Sequence, residues 1–246
     1  MNSAEKIIKA APEKMQEMLK SVYEYNSSFS FSEKLLEKIL FAMMIIDRKF
    51  FAQDEAYAYD DCALPIGKGQ TISQPSTVAR MLLLVELEEG DEVLEIGAGS
   101  GWNACLVAFL VYSGNVKSTD RVYSLVEKAQ ENVNKLRNHL KQKYPQDFEK
   151  LSRLNFLTEN IFSKGKIWKK KYDKIIITAG IAGIVDGKAE NKIGEMAKRL
   201  LKKNGILVCP YVSGPLIIYK KEKGELERKE TREQYVFVPL LEGEEK

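Results

Sequence analysis

The stretch Asp91–Trp102, DEVLEIGAGSGW, decides the fold. Val93, Leu94 and Ile96 form a short apolar run of strand type, and Gly97, Gly99 and Gly101 follow at once. The next residues, WNACLVAFLVY, are apolar over a helical length. Strand, glycine turn and helix make the unit with which open parallel sheets hold nucleosides. Glycine lets the chain turn tightly and leaves backbone N–H groups bare against a ligand. A dinucleotide turn reads G-x-G-x-x-G. Here the spacing is G-x-G-x-G, Trp102 stands where the last glycine is needed, and Glu95 precedes the first glycine by two positions.

Working outward, the alternation continues. RVYSLVE (121–127) reads as the next strand, and EKAQENVNKLRNHLKQKY as a long helix with Ala129, Val133, Leu136, Leu140 and Tyr144 on one face. LNFLT and KIIITA are further strands. ENKIGEMAKRLL is a helix stopped by Asn204-Gly205, and ILVCP, PLIIYKK and QYVFVPL are late strands. The last two are expected to pair as a hairpin around KEKGELERKE. Upstream, residues 1 to about 50 read as helices, with Ser32 as an N-cap, and 51–75 as loop. A helix is expected from Pro75 to Leu87, because Val78, Met81, Leu82 and Val85 fall on one face. Alternating strands and helices predict an α/β fold, a parallel sheet with helices on both faces.

Composition excludes several function classes. The chain is 246 residues long with a net charge of +3, 38 basic against 35 acidic, so it lacks the basic excess of a dedicated nucleic-acid binder. The lysine run KIWKKKYDK reads as a solvated loop. No apolar stretch approaches a membrane span and no signal peptide is visible, so a cytoplasmic protein is expected. Three scattered cysteines make neither a disulfide framework nor a zinc site. His139 is the one histidine and is expected to be exposed, which argues against triad catalysis and histidine-rich metal centres. No metal site is expected.

The combination E-x-G-x-G-x-G after a strand resembles motif I of class I S-adenosylmethionine-dependent methyltransferases. A block ahead of it narrows the resemblance. Asp47-Arg48, Phe50 or Phe51, Ala58-Tyr59, Asp60 or Asp61, Pro65, Ile66-Gly67, Gln70-Thr71-Ile72-Ser73, Pro75, Val78-Ala79 and Met81 are similar to the pattern of the protein-L-isoaspartate O-methyltransferase family. The resemblance covers roughly residues 35 to 240, and the first 30 residues look like an addition. It implies a Rossmann-like doubly wound, mostly parallel seven-stranded sheet with one antiparallel strand, plus N-terminal helices. It implies an N-terminal helical segment and covering loop over 1–75 and a methyltransferase domain over 76–246, forming one compact unit.

For the site, the resemblance implies S-adenosyl-L-methionine as cofactor and Ser73 as the residue nearest the chemistry. Cofactor contacts are expected from Thr71, Ile72 and Ser73, and from Glu95, Gly97, Ala98, Gly99, Ser100 and Gly101. Glu127, read as the acid ending the second strand, is expected to accept from the ribose hydroxyls, with Lys128 beside it. Glu159 or Asn160 is expected to accept from the adenine amino group. Ser73 also reads as an N-cap before Pro75, where helix N–H groups could meet a carboxylate. Methyl transfer to a carboxylate needs no general base, since the nucleophile is ionised at neutral pH. The chain departs from the family at Gln74-Pro75-Ser76, at Glu159-Asn160-Ile161 and in TAGIAGIVDGKAE, which has no proline. Three readings stand at this stage: an isoaspartyl repair enzyme working as a monomer on damaged proteins without stable nucleic acid or membrane; a class I relative acting on another peptide carboxylate or on RNA; and a cofactor-binding module without turnover.

Overall fold

A computed structural model describes residues 2–29, 32–163, 165–182 and 188–245. In chain order its elements are helices α1 (Ser3–Ala10), α2 (Glu13–Ser27) and α3 (Glu33–Ile45); a hairpin of β1 (Leu64–Gly67) and β2 (Gln70–Ile72); α4 (Pro75–Leu84); β3 (Glu92–Ile96); α5 (Trp102–Val111); β4 (Asn115–Asp120); α6 (Tyr123–Lys143); β5 (Leu154–Thr158); β6 (Tyr172–Ile177); α7 (Lys188–Leu200); β7 (Leu201–Pro210); β8 (Ser213–Gly214); β9 (Leu216–Glu222); β10 (Glu225–Glu230) and β11 (Tyr235–Val236). Among the described residues, seven strands make one sheet in the order β10-β9-β7-β6-β3-β4-β5. Every pair from β5 to β7 is parallel; β9 runs against β7 and β10. The result is a doubly wound Rossmann-like sheet with one antiparallel strand.

Period-two alternation builds the two faces. Val93 of β3, Ile176 of β6 and Ile206 and Val208 of β7 pack toward the core shared with α1–α6. Leu94 and Ile96, Ile175 and Ile177, and Leu207 and Cys209 pack the other way, under Ile193, Met196, Ala197 and Leu200 of α7. Residues of β3 facing the first core therefore include Glu95. Helices α1–α3 close over α4, which is buried from Pro75 to Leu83. The chain order winds outward from β3 in both directions, so the crevice at the carboxyl ends of β3 and its neighbours is the ligand position.

Several expectations need correction. RVYSLVE is not a strand: β4 is Asn115–Asp120, and Tyr123–Glu127 already belong to α6. Leu125, Val126 and Ala129 continue the buried stripe of Val133 and Leu136, so the helical period prevails over the local strand propensity. PLIIYKK pairs with ELERKE across a tight turn at Gly224, whereas QYVFVPL contributes only β11, opposite β8. Helix α4 ends at Leu84, three residues short of Leu87. The N-cap of α4 is Gln74, not Ser73, and the side chain serving that helix end is Asp61: its carboxylate accepts from Ser76 N at 2.8 Å and Ser76 Oγ at 2.5 Å. Gln74 Nε2 donates to the same carboxylate at 3.1 Å. Two residues of the Gln74-Pro75-Ser76 departure thus hold one internal anion at a helix N-terminus. His139 is half-buried, its ring 5.1 Å from that of Phe50.

The covering loop is tied down by Arg48, which is 0% exposed. Its Nη1 donates to Ala58 O (2.8 Å) and Asp60 O (3.2 Å), and its Nη2 to Cys62 O (2.9 Å) and Ser73 O (3.1 Å). The guanidinium carbon lies 5.2 Å from the centre of the Trp102 ring, whose Nε1 donates to Ile46 O. Burial lowers the Arg48 pKa to about 10, and it remains charged at neutral pH. Replacing Arg48 with Met strands several buried carbonyls, and we expect a loss of about 3–5 kcal/mol in urea unfolding at unchanged m. Arg48→Lys restores less than half, because an ammonium lacks the planar fork. A loss below about 1 kcal/mol for Arg48→Met would show that the loop is held by other means.

Candidate active site

The glycine turn leaves β3 at Ile96 and enters α5 at Gly101. Gly97 has φ +102, and a Cβ there would lie 2.2 Å from Thr178 Oγ1. That hydroxyl donates to Gly97 O at 2.6 Å, locking the turn to the end of β6. Gly97 N and Ala98 N donate to Thr119 O, Gly99 N to Asp120 Oδ2, and Gly101 N to Ala98 O. These amides are therefore not bare, as the sequence reading expects. The turn offers a ligand shape and close approach rather than a ring of donors.

Two clefts meet at Gly97. In one, Thr71, Ile72 and Ser73 of the covering loop face Gly97, Ala98, Gly99 and Ser100, with Trp102, Asn103 and Thr178 completing the wall. In the other, Gly97 adjoins Asp120 at the end of β4 and Glu159 and Asn160 at the end of β5. Pro239–Leu241 roof this second cleft. That roof is a strap: Gly180 N donates to Val238 O, Leu240 N to Gly180 O, and Glu245 N to Arg121 O. Together the clefts have the mixed polar and apolar lining of a small-molecule site. A roomier groove of ≈ 840 Å³ lies toward the opposite ends of the strands, between α3, α4 and β9–β10, and gathers none of the predicted catalytic or cofactor residues.

Most predicted residues converge here; Glu127, Lys128, Glu95 and Gly101 line neither cleft. Glu127 and Lys128 sit on the exposed face of α6, Glu127 accepting from Tyr123 OH and Lys128 lying 3.4 Å from Glu131. Neither lines a cleft. The acid at the end of the second strand is Asp120, which the misplaced strand conceals. Its carboxylate accepts from Gly99 N and Val122 N and borders the second cleft. Glu95 also lines neither cleft. It is 0% exposed beneath the turn, where Oε1 accepts from Asn103 Nδ2 at 2.7 Å and Oε2 accepts from Ser118 Oγ. Burial raises its pKa to about 7. Of the two adenine candidates, Glu159 Oε1 accepts from Ile167 N and Asn160 Oδ1 from Phe162 N, leaving one Glu159 oxygen without a recorded partner among the described residues. Thr178, Asn103 and the strap were not signalled by sequence, because each reaches the site only through tertiary contact. Residues 183–187 of TAGIAGIVDGKAE lie outside the described residues.

The donor set suits a nucleoside carrying an amino-acid arm. An acid at a strand end beside the switch point is placed to accept from ribose hydroxyls, a second acid follows one strand further, and Gly97 leaves the space a side chain would fill. No helix of the described residues is long and apolar enough to cross a membrane.

Comparison with known proteins points the same way. The family model described as protein-L-isoaspartate(D-aspartate) O-methyltransferase matches residues 32–245. A protein-L-isoaspartate O-methyltransferase of Pelodictyon phaeoclathratiforme is 36% identical over 215 residues, covering 83% of this chain and 84% of its own. One from Methanopyrus kandleri is 33% identical and covers 100% of this chain and 97% of its own. A Plasmodium falciparum structure described as a protein-L-isoaspartate O-methyltransferase in complex with S-adenosyl-L-homocysteine shares the fold. Its TM-score is 0.72 at 21% identity, with 94% of this chain and 99% of that one covered.

The placement of the two acids is directly testable. Asp120→Ala is expected to weaken S-adenosyl-L-homocysteine binding about tenfold or more in calorimetry, the cost of hydrogen bonds to a charged acceptor. Glu127→Ala should change it less than about twofold. The reverse pattern would restore the sequence-based assignment.

Proposed function

Because the chain belongs to the protein-L-isoaspartate(D-aspartate) O-methyltransferase family, we propose that it transfers a methyl group from S-adenosyl-L-methionine to the free α-carboxylate of L-isoaspartyl residues in damaged proteins. The observation that carries this reading is the shared cleft in which Ser73 of the covering loop faces the Gly97–Ser100 turn. Methylation turns the carboxylate into an ester, whose carbonyl carbon the following backbone amide nitrogen can attack with loss of methanol. The ester then cyclises to a succinimide that can reopen to normal aspartate.

When bound, S-adenosyl-L-methionine supplies an electrophilic methyl group on a positive sulfonium. What remains for the chain is alignment and exclusion of water. Asp120 and Glu159 border the adenosyl cleft, and the strap at Pro239–Leu241 roofs it. Ser73 borders the other cleft with its main chain fixed by Arg48 through the Ser73 carbonyl. The Ser73 hydroxyl serves as the donor to the incoming carboxylate, holding it without consuming all its lone pairs. The α4 N-terminus does not take that carboxylate, because Asp61 already fills it. No side chain need remove a proton, since a carboxylate is ionised at neutral pH. A cytoplasmic monomer acting on polypeptide rather than nucleic acid is part of the same proposal, supported by the near balance of 38 basic and 35 acidic residues.

The test is transfer of labelled methyl to a short isoaspartyl peptide, with the matching aspartyl peptide as control. Turnover is expected on the isoaspartyl peptide alone, and Ser73→Ala should lower kcat about ten- to a hundredfold through lost alignment. Cofactor binding without turnover on either peptide would overturn the assignment of the acceptor.

A further inference from the structure

The chain between β5 and β6 leaves the sheet at its carboxyl edge, after Thr158, and re-enters at the amino edge, at Tyr172, because both strands run the same way in one sheet. It therefore travels the height of the sheet, about 20 Å for the six residues of β6. It does so on the α7 face, where Ile161 and Ile167 join Ile193, Met196 and Leu200 in the second core. Helix α7 runs alongside. Lys192 Nζ lies 5.1 Å from the centre of the Phe162 ring, and the Arg199 guanidinium carbon 5.3 Å from that of Trp168.

This passage carries one sign of charge. In sequence, residues 161–172, IFSKGKIWKKKY, hold five lysines and no acid, which exceeds the net +3 of the whole chain. Lys170 pairs with Glu92, and Lys202 pairs with Asp173 at 2.7 Å. Lys166, Lys169 and Lys171, together with Lys198, Arg199 and Lys203, are exposed and have no carboxylate partner among the described residues. Local causes account for part of this set. Lys198 and Arg199 complement the negative end of the α7 dipole, and Lys221 donates to Lys198 O (2.5 Å) and Leu201 O (3.0 Å) at that helix end. Neither cause reaches Lys166, Lys169, Lys171 or Lys203. The crowding is unfavourable within the chain: burial, and then the charges of Lys171 and Lys198, lower the pKa of the Lys221 ammonium. Such a surplus draws its counter-charge from outside the chain.

We propose that this cationic stripe binds an acidic flank of the polypeptide substrate, so that the enzyme prefers acceptors with carboxylates some 20 Å along the chain from the residue being methylated, about the height of the sheet. The inference rests on the reading above that the acceptor is a polypeptide. One end of the stripe is at the site. Glu159, which borders the adenosyl cleft, accepts from Ile167 N, and Lys192 pairs at 2.5 Å with Glu242, next to the strap. A substrate chain leaving the cleft can continue onto the cations. Other polyanions fit less well. Phe162 and Trp168 pack on the second core and carry Lys192 and Arg199 on their faces, so neither ring is free for a base to stack on. Among the described residues of 159–171 and α7, no exposed large apolar side chain is present to enter a membrane.

The experiment measures methyl transfer to isoaspartyl peptides extended by six neutral residues, a reach of about 20 Å, and then by four glutamates or four glutamines. The extension is placed on the amino and carboxyl sides in turn. At about 50 mM salt the glutamate tail should lower KM about tenfold relative to the glutamine tail on at least one side, the sum of several screened surface pairs, with kcat within about twofold. At about 0.5 M salt the advantage should fall below about twofold, and a one-residue spacer should remove most of it. The triple variant Lys166→Gln, Lys169→Gln, Lys171→Gln should lose the advantage and leave the glutamine-tailed peptide unchanged within about twofold. The same three positions changed to arginine should keep it. Equal KM for the two tails at low salt, or an advantage retained in the triple glutamine variant, would overturn the inference alone. Single-stranded RNA that displaces the glutamate-tailed peptide more readily than polyglutamate of equal charge would also overturn it, in favour of nucleic acid. Absence of turnover on the glutamine-tailed peptide would instead overturn the reading of the acceptor, and the inference with it.

Discussion

A guanidinium shut away from water, and neutralised by backbone rather than by a carboxylate in contact, governs the geometry of this protein. Arg48 collects four carbonyls, three from the loop at Ala58, Asp60 and Cys62 and one from Ser73, while its flat face lies over Trp102 at the start of α5. Taking an ion from water costs several kcal/mol, and both terminal nitrogens offset that cost with two carbonyl acceptors each, while Nε has no acceptor among the described residues. The cost makes the arrangement all-or-none. The loop, the Ser73 segment that follows β2 and the helix that follows the glycine turn share one anchor. Asp47, one residue earlier, accepts from Tyr59 OH and adds a second tie to the same loop.

Below that anchor the site separates its charges by depth. Glu95 lies under the glycine turn, where its oxygens hold Ser118 and Asn103. Asp120 stands at the rim and binds the turn through Gly99 N. Asp61 closes the end of α4. Of these three carboxylates only Asp120 borders the site, and each already holds protein donors. Such prior commitment keeps the cleft's electrostatics steady as ligands come and go, which is what alignment without a proton-transferring side chain requires.

What the sequence made legible were features enforced locally. The glycine spacing, the strands LNFLT and KIIITA, and the Ser32 cap with its bond from Leu35 N each follow from sterics or capping within a few residues. The covering loop and Ser73 were legible through family pattern. Strand β4 was not, because NVKSTD has one large apolar residue: its buried face is occupied by Ser118, which serves Glu95, and its neighbour Thr119 accepts the turn's amides. A strand whose interior is polar for the sake of a site carries no hydrophobic alternation. Reading it seven residues late moved the acid from Asp120 to Glu127. The cap of α4 failed for a different reason, since Asp61 reaches it from 15 residues away and no local rule sees that distance.

Strand β10, Glu225–Glu230, was missed for the opposite cause: it has almost nothing to bury. Its sequence ELERKE is exposed at every position but Leu226, and it is held by the ladder to β9. At this margin of the sheet, unsatisfied main-chain groups face outward and could recruit another chain. A row of alternating carboxylates, a guanidinium and an ammonium surrounds them with tightly held water and makes stacking against a second molecule costly. For a member of a family whose substrates are polypeptides, that charged margin disfavours a substrate segment adding to the sheet as an eighth strand.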